Sequence, residues 1–412
     1  MSMAFDGRDG KGAGVPRLWH LDWIRAGAML LGIPYHAGLI YTPGLGWFVA
    51  SPEGSEAIAA LTGLLGSMRM GLFFWVAGLL TAVVLARRDA GTWLRRRFIR
   101  LGLPLLTATL LITPVVMLAI AHRVARDGNL GTAEAFLHLL STPGPHWVGH
   151  LWFLQTLLVF SVLAVALRHP LARLADSLGA RAKGGVGLRE VLLVAAFIGA
   201  WRLGVNGSWH LLQLHAAPGP AFSMLKIEPT IDYAPFFLLG MAMRDMPPPR
   251  LERDAVAWLI LLASALVYIA VWRDPALAAK IARYGSGGVL AILGGGMVVA
   301  LTAGLAQRRR AAVDALVAAS FTLYLVHYPI VVWAGTLLQP VALPPLAEYA
   351  VCIAAALAGA YLAHRAIAAS PTALLLFNGA GAPSRPPSGS SFGDPSPRSR
   401  PQPSRHRLGS DR

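Results

Sequence analysis

The sequence predicts an all-α fold: a polytopic bundle of about ten transmembrane helices with both termini in the cytoplasm. Three observations predict it. Of the 412 residues, 55% are hydrophobic and only 14% are charged, too apolar a balance for a soluble globular chain. The apolar residues gather into repeated runs of about twenty, the length at which a helix crosses a hydrocarbon core of roughly 30 Å. Lys and Arg are also shared unevenly among the connections, and that bias sets the orientation of a membrane protein.

The first run is 21–41, LDWIRAGAMLLGIPYHAGLIY. Residues 1–20 are polar, the run is too long for a cleaved leader, and no small-residue cleavage site follows it. It therefore reads as an uncleaved signal anchor. Further runs cover 60–86, 101–122, 148–168, 190–205, 231–246, 255–272, 287–306, 314–338 and 346–367, with the fifth and sixth spans the shortest.

With the N-terminus inside, the connections on its side and the tail hold 27 Lys and Arg residues. The opposite side receives 7: Arg123, Arg126, Arg202, Lys226, Arg273, Lys280 and Arg283. Arg25 and Arg69 lie within spans. This asymmetry puts both termini in the cytoplasm and accounts for the net charge of +16 without invoking nucleic acid. The two long outer connections, 123–147 and 206–230, carry the turn-forming pieces STPGPHW and NGSWH. The organisation that follows is a cytoplasmic segment at 1–20, a membrane domain at 21–367 and a cytoplasmic tail at 368–412. The tail's Pro-, Ser-, Gly- and Arg-rich stretch from 378 is expected to be disordered. The single Cys352 sits in an apolar run, which excludes a disulfide framework and a Cys-based metal site. No internal repeat supports an inverted-repeat transporter.

Ionisable residues inside spans are costly and usually have a task. Arg25 and His36 are eleven residues apart. On one continuous helix they share a face, with an angular error of about 20°, and lie roughly 16 Å apart along the axis. His36 suits a general base, since its ordinary pKa is near neutrality. The planar fork of Arg25 suits phosphate or carboxylate. The bland alternative is a snorkelling Arg and a His bonded to a neighbouring helix. Asp22 is placed to pair with Arg25, and Pro34 frees a carbonyl just before His36.

In the second span, SMRMGLFFWVAG, Arg69 is expected near the outer end with its head snorkelling to water. Phe73, Phe74 and Trp75 read as packing or lipid-facing residues, and Gly78 as a point of close helix approach. The first inner connection, RRDAGTWLRRRFIRLGLP, is denser in Arg than topology needs. Arg97 and Arg100, three apart, are expected on one helix face that could hold donor phosphates. The other Arg residues of that connection fit positive-inside bias and contact with anionic lipid. HWVGHLWFL places His150 at the outer mouth of the fourth span, with the headgroup zone the favoured position. LYLVHYP buries His327 in the ninth span beside Pro329, where a functional role and the holding of a kinked helix weigh equally. No Walker loop, His-x-x-x-His pair or Gly-x-Ser-x-Gly elbow occurs, so ATP-driven pumping, metalloprotease and serine-hydrolase readings lose support.

Taken in order, Arg25-(ten residues)-His36, FFWVAG, RFIRLGLP, HLWFL and SFTLYLVHYP resemble the membrane acyltransferase 3 family across about residues 17–367. The wording of the first two spans resembles the branch associated with succinylation of osmoregulated periplasmic glucans in Gram-negative bacteria. The resemblance implies an inner-membrane O-acyltransferase. Acyl-CoA, succinyl-CoA for that branch, would donate from the cytoplasm, and hydroxyls of a periplasmic glucan would accept. It also implies glucan-synthesis proteins as partners, with no metal and no bound cofactor. Its essential Arg and His would fall on Arg25 and His36, and its Arg-x-x-Arg motif on Arg97 and Arg100. The family's second-span motif commonly ends Ser-Gly, whereas this chain reads Ala77-Gly78. Arg69, His150 and His327 complete the candidate substrate-binding set. Two other readings stay open: O-acetylation of lipopolysaccharide or exopolysaccharide, and export of a glycan or small anion with Arg25 and His36 as a binding and proton-coupling site.

Overall fold

The computed structural model describes residues 19–379 apart from 129, 215–218, 220–221, 247–250, 306–310 and 342. Every element among these residues is helical. The expected inner segment 1–20 falls almost wholly outside the described residues, as does the tail from 380.

The first expected span is two helices, α1 (Trp19–Leu30) and α2 (Gly32–Ile40). Pro34 has no N–H, and its ring crowds the carbonyl four residues back, at Leu30. The chain bends there without unwinding, because Leu31 N–H still donates to Gly27 O at 2.9 Å and Tyr35 N–H to Leu31 O at 3.2 Å. Arg25 and His36 are therefore on two helical segments, not the single straight helix expected.

The helix α3 (Glu56–Leu85) opens on an N-cap in which Ser55 accepts from Ile58 N–H. Next come α4 (Ala90–Arg97), a π-helical turn at Phe98–Gly102, α5 (Leu103–Leu111), α6 (Thr113–Asp127), the peripheral α7 (Thr132–Ser141) and α8 (Trp152–Ala166). The π-turn sits where Pro104 removes the N–H that the Arg100 carbonyl would otherwise accept. The remaining elements are α9 (Arg168–Arg181), α10 (Leu188–Leu211), α11 (Ile227–Ala242), α12 (Ala255–Val271), α13 (Leu277–Val289), α14 (Gly295–Leu305), α15 (Ala311–Leu338), α16 (Pro345–Ala368) and α17 (Pro371–Asn378).

Six helical stretches are long and apolar enough to cross a membrane: Glu56–Leu85, Ala90–Arg126, Gly149–Ala166, Leu277–Gly304, Ala311–Leu338 and Pro345–Ala368. Six, not ten, meet that measure among the described residues, and the other four expected spans fall short for separate reasons. The first is divided at Leu31. The helix α10 carries Arg189, Glu190, Arg202 and His210 along its length. The helices α11 and α12 have 16 and 17 residues. Large apolar side chains nonetheless stand exposed around the bundle: Leu106 and Leu110 on α5, Leu193 and Phe197 on α10, Leu259 and Leu262 on α12, and Leu362 on α16. Helices apolar outward as well as inward are built for lipid. The chain is a multi-pass membrane protein.

The core is an aromatic stack. Phe73 meets Phe153 edge-on at 4.5 Å, Phe74 meets Phe160 at 5.3 Å, and Phe160 meets Phe237 at 4.9 Å between ring centroids. Phe73 and Phe74 are thus packing residues. Glycine brings α3 and α11 into backbone contact in both directions. A Cβ on Gly78 would stand 2.0 Å from Phe237 O, and one on Gly240 would stand 2.0 Å from Trp75 O. Small residues at such crossings let helices pack by dispersion where lipid supplies no hydrophobic drive.

Beyond the expected end of the membrane domain at 367, Pro371–Asn378 form α17. Ser370 caps α17 by accepting from Ala373 N–H, and Gly379 ends it at a φ of +58°. A Cβ on Gly379 would come within 2.4 Å of Arg100 Cα, so the end of α17 is docked on the π-turn.

Candidate active site

Three histidines from three helical segments converge. His36 comes from α2, His150 from the short helical turn ahead of α8, and His327 from the middle of α15. Ring centroids stand 5.2 Å apart for His36 and His327, 5.8 Å for His150 and His327, and 6.5 Å for His36 and His150. His327 is fully buried, with 0% exposure.

The hydrogen bonds fix the tautomers. His327 Nδ1 lies 2.7 Å from Tyr324 O and 3.0 Å from Leu323 O. A carbonyl only accepts, so Nδ1 carries the proton and Nε2 is left with a lone pair. That lone pair faces His36 Nδ1 at 3.0 Å, so His36 Nδ1–H donates to it. The chain of donors leaves His36 Nε2 as an unprotonated nitrogen, which is what a general base or a nucleophile requires. His150 Nε2–H donates to Leu325 O at 3.1 Å, and the ring stacks on Tyr328 at 4.4 Å. His150 is therefore a buried member of the cluster, not a headgroup-zone residue. The turn at Gly149, with a φ of +46°, carries it inward. Among the described residues, no group of three His, Cys, Asp or Glu side chains is placed to hold a metal ion.

His36 and His150 face a cavity of about 260 Å³ walled by Tyr35, Trp47, Trp152, Tyr233 and Tyr328, with Arg69 and Lys226 also on its surface. Arg69 does not snorkel. It is 8% exposed, and its guanidinium lies over the Tyr35 ring at 4.6 Å. Its Nε is buried without a hydrogen-bond partner. A Cβ on Gly32 would stand 3.1 Å from Arg69 Nη1 and 3.6 Å from His327 Nε2, so the guanidinium and the His36–His327 bond flank the same backbone.

The other three candidates form a second group. Arg25 pairs with Asp22 at 3.6 Å, as their spacing implies. Arg97 is 8% exposed, lies over Trp93 at 5.3 Å and reaches Thr81 Oγ1 in a long contact of 3.5 Å, with its Nε unpartnered. Arg25 and Arg100 are close enough to repel it electrostatically. Arg100 follows within the π-turn and is half-buried, so the pair does not occupy one uniform α-helical face. None of these three Arg residues lines the His36 cavity.

A family model described as an acyltransferase domain, acyltransferase 3, matches residues 18–365. The chain belongs to the acyltransferase 3 family. It is similar to glucans biosynthesis protein C of Salmonella typhi, Salmonella typhimurium and Salmonella heidelberg. In each case it is 26% identical over 337 residues, spanning 79% of this chain and 85% of the relative. No solved structure matches. The protein is thus an enzyme that transfers acyl groups in a membrane setting.

Sequence reasoning on this acyltransferase missed Lys226, Tyr233, Tyr324 and Tyr328 as components of the cluster. Tyr328 had a signal, since it adjoins His327 in LYLVHYP. The Tyr324 hydroxyl donates to the His150 carbonyl and ties α15 to the turn. Lys226 had no signal: it lies far along the chain and reaches the cavity from the start of α11.

Proposed function

We propose that the protein is an inner-membrane O-acyltransferase that takes a succinyl group from acyl-CoA on the cytoplasmic side and places it on hydroxyls of a periplasmic glucan. Both termini lie in the cytoplasm in this reading, with about ten crossings, four of them by the bent, short or polar helices. The single observation that carries the chemistry is the ordered bond from His36 Nδ1 to His327 Nε2, which leaves His36 Nε2 unprotonated.

In the proposed reaction a sugar hydroxyl gives its proton to His36 Nε2 as its oxygen attacks the thioester carbonyl. The new C–O bond forms, the C–S bond breaks, and the proton passes from His36 to the departing thiolate. His327 holds the imidazole in the reactive tautomer through the charge change. The aromatic walls of the cavity suit the apolar faces of sugar rings. The Arg25, Arg97 and Arg100 group supplies the cations for donor phosphates, and Arg97 is the strongest candidate because its buried Nε lacks a partner. The thioester reaches His36 on an extended pantetheine arm. The likeness to glucans biosynthesis protein C supports a glucan acceptor, and the positive-inside bias supports the orientation.

Mass spectrometry of periplasmic glucans tests this, comparing cells lacking the gene with cells complemented by wild type or His36→Ala. Succinyl substituents are expected only with wild type. Unchanged glucans together with altered acetylation of lipopolysaccharide would transfer the assignment to that acceptor. Full acylation by His36→Ala would remove His36 from the mechanism whatever the acceptor.

A further inference from the structure

We infer that Arg69, seconded by Lys226, is the specificity determinant of the His36 cavity and binds the free carboxylate of a dicarboxylic acyl group during transfer. The inference rests on the O-acyltransferase reading given above.

A guanidinium buried to this depth needs an anion close by. Arg69 has none among the described residues. Among the described residues no carboxylate pairs with it, and no Asp or Glu lines the cavity. What it has instead is the face of Tyr35 on one side and an unpartnered Nε. Lys226 joins the same cavity from a backbone held at a φ of 49°, a left-handed conformation that side-chain-bearing residues seldom adopt. No carboxylate is among the residues that line the cavity, and while Lys226 has Glu228 two residues along its own chain, Arg69 has no acid acting on it among the described residues. Its missing charge is supplied by what binds there.

Position separates the donor from the acceptor as the source of that charge. Arg69 Nη1 and His327 Nε2 flank Gly32, one helical turn before His36. The group that must lie against His36 in either step is the acyl group being moved. In a four-carbon dicarboxylic acyl group the free carboxylate lies roughly 4–5 Å from the carbonyl carbon, by ordinary C–C bond lengths. A guanidinium beside the histidine pair is within that reach and matches a carboxylate with two parallel N–H donors.

The test uses the full chain in nanodiscs, with succinyl-CoA and acetyl-CoA as donors and a neutral glucan oligosaccharide as acceptor. In Arg69→Gln the ratio of kcat/KM for succinyl-CoA to that for acetyl-CoA is expected to fall about 10- to 100-fold, mainly through KM. Arg69→Lys should recover part of the ratio, and Lys226→Ala should shift it the same way by less. A second measurement needs no variant: free succinate should compete with succinyl-CoA on the wild type far better than butyrate does. Equal loss with both donors would overturn the inference and leave Arg69 a structural or transition-state role. An effect confined to a carboxylated oligosaccharide acceptor, equal for both donors, would also overturn it. Wild type that transfers acetyl with no preference for succinyl removes this inference alone. Wild type that transfers neither removes the acyltransfer reading and the inference with it.

Discussion

His36 Nδ1 and His327 Nε2 stand 3.0 Å apart, although the two residues are 291 positions apart in the chain. The far side of His327 is anchored to the carbonyls of Leu323 and Tyr324 on its own helix, which carries Pro329 two residues further on. In the proposed mechanism His327 acts through His36 as a positioning residue. In His327→Ala the base remains but its tautomer is no longer held, so kcat is expected to fall about 100-fold with KM little changed. His327→Gln, whose side-chain carbonyl still accepts from His36 Nδ1–H, should recover part of kcat. The rate of wild type should fall toward acid pH, because a protonated His36 cannot accept the hydroxyl proton. A matched loss of kcat in the Ala and Gln variants, with an unchanged pH profile, would show that the pair only packs.

The donor side is tested at Arg97. Its guanidinium is buried among Trp93 and Thr81 with Nε unpartnered, and Arg25 and Arg100 add positive charge beside it. Arg97→Gln is expected to raise KM for acyl-CoA about 10- to 100-fold, as loss of charge-assisted bonds to phosphate implies. Arg97→Lys should restore the charge but not the fork, and so only part of the affinity. Titration of acyl-CoA in steady-state assays reads both, and an unchanged KM would place the donor elsewhere.

Much of this was legible in the sequence, and the parts that were not have physical reasons. His36 and His327 stood out because an ionisable side chain in mid-span is expensive. Periodicity located the long helices and Pro34 marked where the first one could kink, but the pattern did not show that the span divides at Leu31 or that Pro104 sets a π-turn holding Arg100. His150 and Arg69 were misplaced for one shared reason. Proximity to a span end favours the headgroup zone and snorkelling, whereas tertiary packing on Tyr328 and Tyr35 draws both side chains inward. Lys226 was out of reach because only the folded chain brings the start of α11 to the cavity.

The crossing of α3 and α11 sets the distance between the helix that carries Arg69 and the one whose Tyr233 walls the cavity. A Cβ at Gly78 would collide with Phe237 O, and the obstacle is backbone, which cannot rotate away. Gly78→Ala is expected to destabilise the fold by about 1–3 kcal/mol, the range of an overpacked core. Thermal unfolding in detergent measures it. If Gly78→Ala unfolds at the wild-type temperature, the close crossing does not hold these helices together.

Asp232 supplies the last test, of how that wall is fixed. Its carboxylate takes three contacts from Arg202 across α10 and α11: Nε at 3.1 Å to Oδ1, Nε at 3.0 Å to Oδ2 and Nη2 at 2.8 Å to Oδ2. The guanidinium also lies over the Tyr233 ring at 5.2 Å, and Tyr233 in turn stacks on Trp152 at 5.7 Å. Removing one partner of a buried pair leaves an uncompensated charge, so Asp232→Leu or Arg202→Leu alone is expected to cost about 3–5 kcal/mol. Replacing both, as Arg202→Leu with Asp232→Leu, removes the stranded charge and should lie closer to wild type than either single change. Unfolding temperatures of the four proteins form a double-mutant cycle. Additive losses would mean that the two side chains do not act as a pair. A coupled result would mean that the ion pair sets the position of Tyr233, and both single variants should then also show a raised KM for the acceptor.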